Sequence, residues 1–175
     1  MTATLCGDRS KGVRAAAFVW CLSMFTLTES LAMQNLPGAL PSETLLVQAW
    51  LREHGARYKG FDYNVRVGDG TPPPASMPEP YRTIALDQSR KIIDVVAYTG
   101  SGIVLLEAKG RLNPDTVGQI YSYRVLWQRQ HPDLPVQDVG AIGAILDVDM
   151  LYVLNHLDIP FFVYPALAGL VKSAS

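Results

Sequence analysis

Two runs in the middle of the chain, Lys91–Tyr98 (KIIDVVAY) and Ile103–Lys109 (IVLLEAK), constrain its fold more than any other feature. Both are dense in aliphatic and β-branched residues, and only Thr-Gly-Ser-Gly separates them, so they predict an antiparallel hairpin. Gly at the first central turn position suits a type II′ turn. With Gly100 and Ser101 as the loop residues, Thr99 faces Gly102 and Asp94 faces Glu107. Directly opposed residues hold their Cβ atoms about 4.5–5.5 Å apart. Two carboxylates therefore stand side by side in an apolar ribbon, where like charges repel and resist burial. Lys109 projects on the same face as Glu107, because side chains alternate along a strand.

Two readings account for this cluster. In one, Lys109 forms a partly buried ion pair with Glu107 or Asp94 at the hairpin end. In the other, a divalent cation offsets the paired acids. Magnesium takes one or two carboxylates and fills its other positions with water and phosphate oxygens. A bound cation makes a better nucleophile of water and offsets charge developing on a phosphodiester. Lys109 would then assist the attacking water or the charged phosphate, and the Ala108 carbonyl would add a ligand. Geometry alone leaves the two readings level.

The remaining elements build a sheet around the hairpin. Ser42 is a plausible N-cap for a helix over Glu43–His54, in which Leu46, Val47, Trp50 and Leu51 recur at helical spacing and Gly55 ends the run. Tyr58, Phe61, Tyr63, Val65 and Val67 read as a strand within Arg57–Val67. Residues 68–80 (GDGTPPPASMPEP) form a proline-rich surface loop that cannot be a central strand. Asn113-Pro114-Asp115 reads as N-cap, Pro at N1 and an acid in the first turn of a helix reaching Gln130. Val139–Val148 is a further strand, Asp149–Leu157 a short helix and Pro160–Pro165 a last strand. The order α-β-β-β-α-β-α-β predicts one α/β domain with a mixed central sheet flanked by helices.

Asp94, twelve intervening residues and then Glu107-Ala108-Lys109 resemble the PD-(D/E)XK nuclease superfamily. After nine further intervening residues, Gln119-Ile120-Tyr121-Ser122-Tyr123 is similar to the QxxxY element of its RecB-like exonuclease branch. The inferred elements also resemble that superfamily's αβββαβ restriction-endonuclease-like core, over about Glu43–Pro165. The resemblance implies that Asp94 and Glu107 are metal ligands, with the Ala108 carbonyl, for Mg2+ or Mn2+. It implies that Lys109 is the catalytic lysine, that Gln119 and Tyr123 orient the site or contact DNA, and that Glu43 is an accessory acid. Ile93 stands where the name-giving proline would be. The implied activity is hydrolysis of DNA phosphodiesters in repair or recombination. The alternative is an inactive module of the same fold that binds nucleic acid or a protein, and a protein partner or a homodimer is expected to supply specificity.

Composition sets the outer limits. With 15 Lys and Arg against 16 Asp and Glu, the chain does not coat nucleic acid by bulk charge. Residues 33–175 alone carry 12 basic and 14 acidic groups, once Arg9, Lys11 and Arg14 and the acids Asp8 and Glu29 are set aside. Both cysteines, Cys6 and Cys21, lie near the start, so residues 22–175 hold no disulfide and no cysteine-bound metal. Residues 1–32 stand apart: a basic start, an apolar run from Ala15 to Leu27, and small residues Ser30 and Ala32. That pattern is either an upstream extension of a cytoplasmic protein or an export signal. Both readings place the segment outside the core, with residues 33–175 as the nuclease-like domain. The apolar run is too short for a comfortable membrane span.

Other candidates have plainer readings. Glu43 also suits a helix N-terminus, and Asp147-Val148-Asp149 reads as a cap at Asp149 rather than a metal-binding pair. Trp50, Tyr121, Trp127 and Tyr152 are expected in the core. Arg57, Lys59, Arg66, Arg82, Arg90, Lys91, Arg111, Arg124 and Arg129 are dispersed in sequence, and which of them gather to hold phosphates is not legible.

Overall fold

The computed structural model describes residues 24–172. The elements are α1 (Leu27–Ala32), α2 (Pro41–His54), β1 (Gly60–Val67), α3 (Tyr81–Gln88), β2 (Lys91–Tyr98), β3 (Ile103–Arg111), α4 (Pro114–Gln130), β4 (Val136–Ile145), α5 (Val148–His156), β5 (Phe161–Val163) and α6 (Ala168–Lys172). The five strands form one sheet in the order β1-β2-β3-β4-β5. β1, β2 and β3 run antiparallel to one another, whereas β3, β4 and β5 are parallel. Parallel neighbours need crossover connections, and α4 and α5 supply them.

Each sheet face buries its own apolar layer. Ile120, Tyr123 and Trp127 of α4 and Met150 and Leu154 of α5 pack with Ile93, Val96, Ile103, Leu105, Val139 and Ala141. On the other face Leu46, Val47, Trp50 and Leu51 of α2, with Val171 of α6, pack against Phe61, Val95, Ala97, Leu106, Ala108 and Ile142. The chain is thus an α/β domain with a mixed five-stranded sheet between helices. Among the described residues no helix is long and apolar enough to cross a membrane.

The hairpin register is the expected one, with Val95 opposite Leu106 and Tyr98 opposite Ile103. Its turn is different. Gly100 lacks the positive φ that type II′ requires, as Gly38, Gly68 and Gly70 are the described glycines with positive φ. The Thr99 N–H donates to the Gly102 carbonyl at 2.9 Å, and the Thr99 hydroxyl accepts the N–H groups of Ser101 (3.2 Å) and Gly102 (3.0 Å), so main chain and side chain of Thr99 close the loop together.

Several boundaries also differ. Pro41 is the first residue of α2 and Leu40 its N-cap, so Ser42 is inside the first turn, where it is buried. Asp147, not Asp149, caps α5: its Oδ1 accepts the Met150 N–H at 2.9 Å. Asn113 caps α4 as expected, accepting from Thr116. α3 and α6 were not expected; α3 has no buried residue, so it carries no hydrophobic stripe to read. Trp50 and Trp127 are in the core, but Tyr121 and Tyr152 are 40% and 72% exposed.

Residues 24–32, expected outside the core, pack on it. Phe25 and Phe61 exchange two backbone hydrogen bonds of 2.8 Å on the outer edge of β1. Ser30 is fully buried, and Phe25, Leu27 and Leu31 pack against the α2 layer. The basic start, Cys6, Cys21 and most of the apolar run lie outside the described residues. Burial of such side chains is worth roughly 1.5–3 kcal/mol each when complete, less here because they are partly exposed. A chain starting at Met33 should therefore melt on the order of 5–10 °C below one starting at Met24. Equal melting temperatures in scanning calorimetry would show that α1 adds nothing.

Candidate active site

The site forms at Asp94, where β2 stops pairing with β3 and skips one position against β1. Pairing with β1 runs from Gly60 opposite Tyr98 to Tyr63 opposite Val95 and resumes at Val65 opposite Ile93, passing over Asn64 and Asp94. Pairing with β3 stops at Val95 opposite Leu106, one step before Asp94. Asn64 adopts a left-handed conformation (φ 51°), a strained state that Asn tolerates better than most residues. Ile93 and Val96 enter the same core layer while Val95 enters the other, so β2 turns over at Asp94.

Released from the ladder, the Asp94 carboxylate takes over a ladder position. Its Oδ2 accepts the Ala108 N–H at 2.7 Å, which ties the start of β2 to the middle of β3 through a side chain. Glu107 is 3% exposed. Its Oε1 lies 3.8 Å from Lys109 Nζ, and its Oε2 is buried with no hydrogen-bond partner. On α4, Gln119 Nε2 donates to the Tyr123 hydroxyl at 3.1 Å, and Gln119 Oε1 is also buried without a partner. The 3.6-residue period puts these two residues on one helix face, and both line the same cavity as the acids.

That cavity, of about 430 Å³, holds Glu43, Asp94, Glu107, Ala108, Lys109, Gln119 and Tyr123 together, every site residue read from the sequence. Glu43 plays a double part: its Oε2 accepts the Leu40 N–H at 2.8 Å at the start of α2, while its charge acts on Asp94. Sequence reasoning did not single out Asn64, which also lines the cavity and whose side chain donates to the Pro37 carbonyl at 2.9 Å. Asn in a strand is a weak signal, and its pairing position opposite Asp94 is visible only once the register is known. A larger groove of about 550 Å³ beside α3 contains Glu79 and Arg82, already paired to each other, and none of these groups.

Electrostatics mark the two acids as strained when charged. Burial raises Asp94 to about 6, against the opposing Ala108 hydrogen bond. Burial first, and then the Asp94 charge, raise Glu107 to about 8. Burial and the Glu107 charge also push the Tyr123 phenol up, so it remains a hydrogen-bond donor at neutral pH. The donor set of two carboxylates and a carbonyl, with one buried carboxylate oxygen unsatisfied, suits a small oxygen-seeking cation. Among the described residues no third Asp, Glu, His or Cys closes a larger ligand cluster.

A raised carboxylate stabilises the fold fully below its unfolded value and loses that contribution as pH climbs through the folded value. The metal-free protein should therefore lose stability between about pH 4 and pH 8. Asp94→Asn with Glu107→Gln should flatten that dependence in thermal melts, and magnesium should raise the wild-type melting temperature most at the alkaline end. A wild-type profile that rises across this range would contradict the assignment of two destabilised acids.

No protein-family model matches the chain, and neither does any curated protein. Among solved structures, a repair endonuclease from Pyrococcus abyssi aligns at TM-score 0.39 and 16% identity, covering 68% of this chain and 45% of that one. A protein from Vibrio cholerae aligns at TM-score 0.44 and 14% identity, over 76% and 33%. EndoMS in complex with double-stranded DNA aligns at TM-score 0.37 and 18% identity, over 71% and 45%. The chain spans less than half the length of each of these three structures, and the chemistry of its site rests on its own geometry.

Proposed function

We propose that the chain is a metal-dependent nuclease that hydrolyses DNA phosphodiester bonds, with a PD-(D/E)XK core. The observation that carries this reading is the buried Glu107 carboxylate, with an unsatisfied oxygen, in one cavity with the partly buried Asp94 and with Lys109. A structural ion pair would be expected to use both carboxylate oxygens, since an unmet buried acceptor costs about 1–3 kcal/mol. Asp94, Glu107 and the Ala108 carbonyl would hold Mg2+ or Mn2+. The cation, when bound, supplies Lewis acidity toward a phosphate oxygen and lowers the pKa of water.

The protein groups divide the remaining work. The Ala108 N–H fixes the Asp94 carboxylate, so that acid is oriented before substrate arrives. Lys109, 26% exposed at its side chain, reaches from the Glu107 side toward the cavity and stabilises negative charge on the phosphate or orients the attacking water. Gln119 and Tyr123 form a short hydrogen-bonded pair on α4 in the same cavity as Glu107, whose charge acts on the Tyr123 phenol. Glu43 adds negative charge at the cavity edge, which favours a cation there.

Incubation with single-stranded, double-stranded and branched DNA, with and without magnesium, tests the reading. Cleavage should require the cation. Asp94→Ala and Lys109→Ala should each lower kcat by at least about 100-fold, with the circular dichroism spectrum and a cooperative melt retained. Unchanged cleavage in both variants would overturn the site. Calorimetric titration with magnesium separates this from a structural ion pair in a non-catalytic module: absence of metal binding supports the module.

A further inference from the structure

Of the nine dispersed cations whose gathering was not legible in the sequence, the fold brings two, Arg90 and Lys91, into the cavity that holds Asp94, Glu107 and Lys109. Arg90 is committed to the protein. Its Nε donates to the Gly68 carbonyl at 2.7 Å and its Nη2 to the Arg66 carbonyl at 3.3 Å, and its Nη1 lies 3.6 Å from Asp87. Lys109 faces Glu107. Lys91 is exposed, and among the described residues no acid pairs with it.

Its distance from the acids is set by the strand. Lys91 and Asp94 are three residues apart on β2, about 10 Å at roughly 3.3 Å per residue. Lys91 thus stands along the strand from the acids, which puts a backbone phosphate neighbouring the one held there within reach of its flexible side chain. Pairing of Lys91 opposite Val67 anchors its backbone at the end of the β1–β2 ribbon, so the ammonium sweeps one rim of the cavity.

Resting on the nuclease reading, we propose that Lys91 is a substrate-binding residue that holds a backbone phosphate neighbouring the one cleaved, and thereby sets how the cut strand lies across the site. It contributes binding shared by ground state and transition state, so its loss shows in KM and not in kcat. The contact is to phosphate and carries no base preference.

The test uses the full chain, its cleavable DNA and Lys91→Ala, with Lys59→Ala as a control. Lys59 is exposed, beside the Gly100 turn at the other end of β2, and its loss changes net charge equally. Lys91→Ala should raise KM by about 3–10-fold with kcat within about twofold. It should also flatten the dependence of log affinity on log salt by about one unit, whereas Lys59→Ala should do neither. DNAs carrying a single neutral methylphosphonate, walked along the cut strand, then locate the contact. At one position next to the cleaved bond the neutral group should weaken binding to wild type but not further weaken binding to Lys91→Ala. Equal KM in Lys91→Ala and wild type, an equal effect of Lys59→Ala, or additive losses at every position would overturn the proposal. A wild-type chain that cleaves none of the DNAs with magnesium overturns the nuclease reading itself, and this one with it.

Discussion

The hydrogen bond from the Ala108 N–H to the Asp94 carboxylate is the contact on which the site depends. A continuous ladder between β2 and β3 would satisfy that N–H with a backbone carbonyl and close the sheet over the place where the acids meet. Because a carboxylate takes the position, the strands separate at their ends and a cavity opens without leaving the donor orphaned. The same bond fixes one Asp94 oxygen in a carboxylate that lines the cavity with Glu107. The cost is visible in Asn64, held left-handed on the opposite strand, and in the face reversal of β2 at Asp94. Strain of this kind concentrates at functional positions, where the surrounding structure enforces it.

Most of the scaffold was legible because its signals are local. The Thr-Gly-Ser-Gly link fixed the hairpin register by counting, although the Thr99 main chain and hydroxyl close the turn without a left-handed glycine. Asn113-Pro114 marked the start of α4, and the four-residue spacing of Gln119 and Tyr123 placed both at the acids. What stayed hidden depends on tertiary contact. α3 buries nothing and is held by polar ties, such as Arg66 to Asp87 at 2.9 Å, so no apolar period announces it. Asp147 and Asp149 are equally good caps in sequence, and only the backbone chooses between them.

The N-terminal boundary shows a different limit. Ser30 and Ala32 resemble the small residues of a processing site, yet Ser30 is fully buried, its Oγ donating to the Thr26 carbonyl at 2.8 Å. Small residues suit a tight packing contact as well as a cleavage site, and composition does not separate the two. Gly60 illustrates the packing: a Cβ there would meet the Met24 side chain. Dispersed basic residues are a similar case, since several of them are spent on internal ion pairs that only the fold reveals.

The pairing of Phe25 with Phe61 also bears on what the molecule can join. An open sheet offers two unpaired edges, each a template on which another chain can add a strand. Here the β1 edge is occupied at Phe61 and interrupted at Asn64, and the other edge, β5, is three residues long. Neither border offers a long, flat row of free amides and carbonyls. Strand-to-strand recruitment is thereby discouraged, and the helix-covered faces and the cavity mouth are left as the surfaces through which other molecules engage this domain.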